Sequence, residues 1–222
     1  MNTEKTKILL DIYERFGDKA QAALDFVKAN SENETKKVMV SRSNEAVAMP
    51  SNGIYIIYEN GSYCKFSKDC KKDGAKLVGI VHDGHSFAVT LKDLGRFKLV
   101  KDYDECPEEC ELYIQRECDA LNDWDCVART KHIQEVGTDI PLKEGEYIPS
   151  LPMLSAMMYW RDRGLNEALL FLGGEPISDN RHWSSTEYNS TSAWYINGES
   201  GYILNNIKYG SYVVRAVCAW EI

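Results

Sequence analysis

The stretch that decides the fold is RHWSSTEYNSTSAWYINGESGYILNNIKYGSYVVRAV, from Arg181 to Val217. Aromatic and β-branched residues of high strand propensity alternate in it with short groups of Asn, Ser and Gly, which are typical of turns. This pattern predicts short antiparallel strands joined by tight turns. At its end, the nine residues from Tyr212 to Trp220, YVVRAVCAW, predict one continuous strand that is central to a sheet.

The part of this stretch between Tyr188 and Tyr212 has an unusual composition. Its 25 positions hold five Tyr, four Asn, four Ser and three Gly, and only Glu199 and Lys208 are charged. Exposed Tyr offers a large contact area at low entropic cost, and Ser, Gly and Asn offer adaptable hydrogen bonds, as in antigen-binding loops. The composition indicates a recognition surface. An alternative stays open: hairpins whose turns use Asn, Ser and Gly and whose strands use Tyr.

Upstream, strand and helix patterns follow one another. Two hairpins are predicted, one around the Asn60-Gly61 turn and one around His82-Asp83-Gly84-His85. A helix is predicted from Ser155 to Leu172, ending at Gly173-Gly174, and the acidic segment 102–136 is predicted to be partly helical. The strands of the two hairpins are expected over residues 53–58 with 63–66, and over 77–81 with 86–91.

The first 50 residues differ from the rest. Apolar residues recur at helical spacing from residue 4 to residue 29, and residues 30–52 have the Ser-, Asn- and charge-rich composition of a linker. We therefore expect an N-terminal helical arm and linker over residues 1–50 and a second domain over residues 51–222. The arm either packs on its own domain or makes a homo-oligomer or attachment contact, because a short amphipathic helix is rarely stable alone.

Charge and hydropathy exclude several classes of partner. Lys and Arg total 26 against 34 Asp and Glu, and this net charge of −8 has the wrong sign for neutralising nucleic-acid phosphates. No apolar run reaches the roughly 18–20 residues of a membrane span. The start of the chain lacks the apolar stretch of a secretory signal. The sequence therefore predicts cytoplasmic synthesis without a signal peptide, no membrane span and no nucleic-acid partner.

The seven cysteines are an odd number in a chain too large to need disulfides for its stability, so free thiols are expected in a reducing compartment. Cys106, Cys110, Cys118 and Cys126 leave an alternative open, a structural zinc site. Their spacings of 4, 8 and 8 are loose for zinc, whose paired ligands usually lie about 2–4 residues apart. We expect no metal and no cofactor.

Three boxes carry a family resemblance: WSSTE at Trp183–Glu187, AWY at Ala193–Tyr195 and VRAV at Val214–Val217. With YIPSLPMLSAMMYWRDRGLNEALLFLGG (147–174) and KLVGIVHDGHSFAVTLKDLG (76–95), the chain resembles C-type-lectin-fold domains. The group that it is similar to includes formylglycine-generating enzymes and the variable proteins of diversity-generating retroelements. The resemblance implies an α+β fold with short antiparallel sheets and two helices.

In the retroelement-diversified members that the chain resembles, scaffold residues stay fixed while residues between them are rewritten through adenines of Asn-type codons. The resemblance implies a variable region over about 181–217 that binds a protein or glycan ligand on another surface. Such a protein is expected at a phage or prophage tail tip and hence associated with the virion. Glu199 and Lys208 lie outside the reachable codon set and are expected to be fixed. The predicted ligand-binding residues are Tyr188, Asn189, Ser190, Ser192, Asn197, Ser200, Tyr202, Asn205, Asn206, Tyr209, Ser211 and Tyr212.

An enzymatic role is not expected. Formylglycine-generating enzymes need a cysteine pair in the C-terminal part of the domain, where this chain has only Cys218. The calcium ligands of sugar-binding C-type lectins are missing as well, because Glu175-Pro176 is followed by Ile177 and Asn122-Asp123 lies upstream of the final strands. Two alternatives remain: a non-variable assembly or interaction module of the same fold, and a formylglycine-generating-type oxidase.

Overall fold

Residues 50–102 and 106–222 are described by the structure, a computed structural model, and they belong to one unit, Met49–Ile222. The predicted helical arm, its linker and its homo-oligomer contact lie outside the described residues, apart from Pro50 and the last linker positions. In the described part, no helix is both long and apolar enough to span a membrane.

Eleven strands and four α-helices make up the described part. The strands are β1 (Gly53–Tyr58), β2 (Tyr63–Lys65), β3 (Ala75–His82), β4 (His85–Val89), β5 (Gly95–Phe97), β6 (Glu146–Tyr147), β7 (Arg181–Glu187), β8 (Ser192–Asn197), β9 (Ile203–Ile207), β10 (Tyr212–Val214) and β11 (Val217–Ala219). The helices are α1 (Glu117–Ala120), α2 (Cys126–Val136), α3 (Leu151–Trp160) and α4 (Asn166–Phe171), with a π-helical turn, Arg161–Leu165, between the last two. The α+β class predicted from the sequence is confirmed, but the described part has four α-helices where two were expected.

One sheet has six strands in the order β2-β1-β3-β4-β11-β6, and every neighbouring pair is antiparallel. Both upstream hairpins are confirmed. The second closes on Asp83 and Gly84, whose φ angles are 48° and 80°, because a two-residue hairpin turn needs positive φ at both positions. Strand β1 is buried on both faces, with Ile56 in the largest core cluster and Tyr55 packed on Trp220.

The other sheet has five strands in the order β5-β10-β7-β8-β9. Strand β10 runs parallel to β7, and the remaining pairs are antiparallel. Side chains alternate between the two faces of β8: Trp194 and Ile196 enter the largest core cluster, whereas Ala193 and Tyr195 enter a second cluster around Trp183. Strand β9 lies at the end of this sheet.

The prediction of one strand from Tyr212 to Trp220 is wrong. The segment divides at Arg215 and Ala216 into β10, in the five-stranded sheet, and β11, in the six-stranded sheet. Arg215 is fully buried, and a buried guanidinium must have its N–H donors satisfied. It donates to Asp93 Oδ1 at 2.6 Å and to the carbonyl oxygens of Thr90, Glu175 and Pro176. The chain therefore crosses between sheets where this side chain finds its acceptors.

Helix α3 contacts strands of both sheets, namely β3, β7 and β8, so it fills the space between them. The helix predicted from Ser155 to Leu172 is confirmed, but it begins earlier, at Leu151, because Pro152 fits the first turn of a helix. Gly164, with φ of 116°, interrupts it inside the π-helical turn. In the segment 102–136, helices α1 and α2 confirm the predicted partial helicity.

Candidate functional site

The twelve predicted ligand-binding residues differ widely in exposure. Four are exposed: Ser200, Tyr202, Asn205 and Ser211. Seven are half-buried: Tyr188, Asn189, Ser190, Ser192, Asn197, Asn206 and Tyr209. The last, Tyr212, is buried. The structure therefore does not bring all twelve onto one open surface.

Tyr212 is a correction to the predicted site. Its ring is 5% exposed and packs against Trp183 at 4.5 Å and Tyr195 at 4.8 Å between ring centroids. Its hydroxyl accepts hydrogen bonds from Arg181 at 3.2 Å and from Asn206. The expectation that Tyr212 stands outward is wrong, because β10 lies inside the sheet and the second core cluster covers this face.

Three predicted residues hold turns. Asn189 Oδ1 accepts the backbone N–H groups of Thr191 at 3.0 Å and Ser192 at 2.7 Å. Asn197 Oδ1 accepts from Glu199 at 3.1 Å, and Ser200 Oγ accepts from Tyr202 at 3.3 Å. These bonds satisfy backbone donors locally, as the side chains of Asn and Ser do in turns. The turn alternative therefore accounts for these three positions.

The most open part of the region is β9, at the edge of the five-stranded sheet. It pairs with β8, and no other described strand lies along its second edge. Tyr202, just before it, is 69% exposed, and Leu204 and Ile207 are 44% and 53% exposed. Leu204 and Ile207 were not among the predicted residues, because the sequence alone does not show that this strand lies at an edge.

The pairing register places part of this edge beside a cation and two rings. Leu204 lies opposite Tyr195 and Asn206 lies opposite Ala193, so both share a face with Tyr195. The guanidinium of exposed Arg181 lies 5.8 Å from the centroid of the Tyr195 ring and 5.5 Å from that of Tyr212. We call Tyr202, Leu204, Asn205 and Ile207, together with Arg181, the edge surface.

A buried charge cluster lies at the end of strand β7. Glu187 is fully buried and has two partners: its Oε1 pairs with Lys208 Nζ, and its Oε2 is hydrogen-bonded to His132 Nδ1 at 2.6 Å. Lys208 is also fully buried and donates to Cys106 Sγ at 3.4 Å. Burial alone would raise the pKa of Glu187, but the hydrogen bond from His132 and the charge of Lys208 outweigh it and hold that pKa below its usual range. That Lys208 is a fixed position in a diversified region stays a prediction.

The four cysteines of the zinc alternative, Cys106, Cys110, Cys118 and Cys126, have different surroundings in the structure. Within residues 50–102 and 106–222, no three His, Cys, Asp or Glu side chains lie close enough to hold a metal ion. Cys110 Sγ lies 3.7 Å from His132 Nε2, Cys118 is exposed, and burial raises the pKa of the Cys126 thiol to about 12. His82 and His85 have different partners. His82 Nδ1 accepts a hydrogen bond from Trp160 Nε1, and the His85 ring stacks on Trp124.

Comparison of the chain with protein-family models and with curated proteins finds no match. Among solved structures, the chain is similar to a fimbrial protein from Bacteroides ovatus ATCC 8483, at 15% identity and a TM-score of 0.46. The alignment covers 76% of this chain and 48% of the fimbrial protein.

Proposed function

We propose that this protein is a ligand-binding protein, not an enzyme, and that it binds a protein ligand through the edge surface. The observation that carries the proposal is β9, a strand with an unoccupied edge among the described residues and with exposed Tyr202, Leu204 and Ile207 along it. Unpaired strand edges offer main-chain hydrogen bonds to an added strand, and side chains at alternate positions give specificity.

A protein ligand fits this surface better than a glycan. Leu204 and Ile207 are aliphatic, and an aliphatic edge strand complements an extended peptide that also satisfies the backbone groups of β9. Tyr202 supplies the aromatic anchor that is enriched at interface centres. A glycan ligand remains an outcome of the test below.

We further propose that the domain has a C-type lectin fold and that its surface is diversified by a retroelement, at a phage or prophage tail tip. Support comes from the division of roles within residues 181–217. The residues of the resemblance boxes Trp183, Trp194 and Glu187 are buried, whereas Tyr202 and Asn205, in the codon-reachable set, are exposed. Exposed positions away from packing tolerate substitution at a cost usually below about 0.5 kcal/mol.

The binding proposal is tested with a displayed random-peptide library and a glycan array, both probed with the full chain. Clones selected on the unmodified protein should lose binding to Leu204→Arg by about tenfold or more, since one buried aliphatic contact is worth more than 1.4 kcal/mol. Leu170→Arg is the matched control, because Leu170 is also an exposed leucine, at 58%, and lies on α4 rather than on β9. Equal binding of most clones to both variants would refute the proposal, and glycan-only binding would change the ligand class.

The diversification proposal is tested in the DNA. An imperfect repeat of codons 181–217 near the gene, differing only at adenines, is expected together with a reverse transcriptase gene. The codons of Lys208 and Tyr212 should be unchanged in variant copies, because both side chains are buried. Absence of both the repeat and the reverse transcriptase would favour the non-variable interaction module.

One observation favours a second candidate function, thiol-based acyl transfer. Cys110 Sγ, the His132 imidazole and Glu187 lie in the order of a nucleophile, a base and an orienting carboxylate, at 3.7 Å and 2.6 Å. Iodoacetamide labelling of the full chain, mapped by mass spectrometry, separates the two functions. Catalysis requires Cys110 to react at least about tenfold faster than exposed Cys118, and His132→Gln to abolish the difference. The binding proposal expects Cys110 to react no faster than Cys118.

A further inference from the structure

The side chains of two cysteines meet where β2 is followed by a loop. Cys64 lies on β2 and Cys70 six residues later, and their sulfur atoms are 2.7 Å apart. Non-bonded carbon atoms settle about 3.5–4.0 Å apart, and sulfur is larger than carbon. The two thiols are therefore closer than packing alone would place them.

Hydrogen bonds of the surrounding chain hold the two thiols near each other, in addition to the contacts of Cys64 Sγ with the Tyr58 hydroxyl and of Cys70 Sγ with the Lys65 carbonyl oxygen, each at 3.4 Å. Phe66 N–H donates to the carbonyl oxygen of Ile54 at 2.8 Å, which keeps the start of the loop against β1. Cys70 N–H donates to the carbonyl oxygen of Ser67 at 3.2 Å and turns the chain back. The Tyr58 hydroxyl donates to the carbonyl oxygen of Lys71 at 3.1 Å and holds the far end. The backbone thus preorganises the two side chains.

Both cysteines are half-buried, so small oxidants can reach them. The other cysteines near polar groups have different neighbours: Cys106 contacts Lys208 and Cys110 contacts His132. The loop between Cys64 and Cys70 also lines a cavity of about 420 Å³, through Lys65 and Phe66 among others. A covalent link between the two cysteines would fix this wall of the cavity.

We propose that Cys64 and Cys70 form an intramolecular disulfide. The oxidant is a small-molecule disulfide of the glutathione class. One cysteine thiolate attacks it, forming a mixed disulfide and expelling one small thiolate. The second cysteine thiolate then attacks the protein sulfur of that mixed disulfide and expels the second small thiolate. Both cysteine protons pass to the expelled thiolates, so two protein thiols are oxidised and one small disulfide is reduced to two thiols.

The test uses the folded full chain, equilibrated with oxidised and reduced glutathione, quenched in acid, alkylated and digested with trypsin. Cleavage after Lys65 and Lys68 separates the two cysteines, so their disulfide links two peptides that part on reduction. We expect this linked pair, and a midpoint of thermal unfolding about 4–8 °C higher in the oxidised than in the reduced protein.

Two variants sharpen the test. Cys118→Ser, at an exposed cysteine, should keep the linked pair and the thermal shift, whereas Cys70→Ser should lose both. The proposal is overturned if Cys64 and Cys70 carry separate glutathione or alkyl groups with no linked pair, or if Cys64 is linked to another cysteine. Because the comparison of oxidised and reduced protein is made on the unmodified chain, it holds even where a variant folds poorly.

Discussion

Strands β8 and β9 are hydrogen-bonded neighbours in one sheet, yet they have opposite surroundings. Trp194 and Tyr195 on β8 are each 5% exposed, on opposite faces, whereas Leu204 and Ile207 on β9 are about half exposed. The two strands have similar apolar content, so composition does not explain the difference. The position of each strand in the sheet explains the difference. Strand β8 has a neighbouring strand on each side and a core cluster on each face, whereas β9 lies at the edge of the sheet.

The same division separates charged and aromatic residues that are close in sequence. Lys208, one residue beyond β9, is buried against Glu187, whereas Tyr202, one residue before β9, is open. The segment therefore combines a fixed interior with an exposed edge. Substitutions in the interior should act on stability, and substitutions at the edge should act on binding.

The largest expected effect is at Lys208. Lys208→Met should lower the free energy of unfolding by about 3–5 kcal/mol, because removing one partner of a buried ion pair leaves the buried Glu187 carboxylate with only its hydrogen bond to His132. Urea titration of the full chain measures this. Lys131→Met is the control, since Lys131 forms an exposed pair with Glu135 on α2 and should change stability by less than about 1 kcal/mol. Equal effects of the two substitutions would show that the buried Lys208–Glu187 pair contributes no more to the stability of the protein than an exposed pair does.

A second prediction contrasts two tyrosines. Tyr212→Ala should lower the free energy of unfolding by about 3 kcal/mol, because it removes a ring packed on Trp183 and Tyr195. Tyr202→Ala should change it by less than about 0.5 kcal/mol, since its ring is 69% exposed, and should instead weaken binding of the selected peptides. Urea titration and peptide binding are measured on both. A destabilised Tyr202→Ala with unchanged binding would contradict the assignment of Tyr202 to the edge surface.

A third prediction concerns acid. Because the pKa of Glu187 is held below its usual range in the folded protein, its contribution to stability is full above the unfolded value of about 4.3. That contribution is lost as the pH falls through the lower, folded pKa. Urea midpoints measured between about pH 3 and pH 7 should therefore fall towards acid, and Glu187→Gln should flatten this slope. The exposed Glu135→Gln is the control and should leave the slope unchanged.

Much of the local structure could be predicted from the sequence because its signals are local. The Asn60-Gly61 and Asp83-Gly84 turns fix two hairpins, and helical spacing ending at Gly173-Gly174 fixes α3 and α4. These signals involve residues that are adjacent or one turn apart. Such local signals do not depend on how distant parts of the chain pack.

The missed features depend on residues distant in sequence. The break at Arg215 follows from acceptors at Thr90, Asp93 and Glu175, which lie at least 40 residues away. Burial of Tyr212 follows from the order of strands, and exposure of Leu204 follows from β9 having one neighbour. The alternation of apolar and polar residues does not reveal the order of the strands or which strand lies at the edge. The prediction from composition therefore counted too many residues as exposed.

The smallest expected effect tests whether Asn189 stabilises its turn or contacts ligand. Its side-chain oxygen accepts two backbone N–H groups in the turn between β7 and β8, so Asn189→Ala should lower the free energy of unfolding by about 1 kcal/mol. Ser190→Ala, in the same turn, should cost less than about 0.5 kcal/mol and is the control. Urea titration resolves this difference. A residue that only contacts ligand leaves stability unchanged when it is replaced. If Asn189→Ala is as stable as Ser190→Ala but binds the selected peptides less well, Asn189 is a ligand-binding residue, as the sequence predicted.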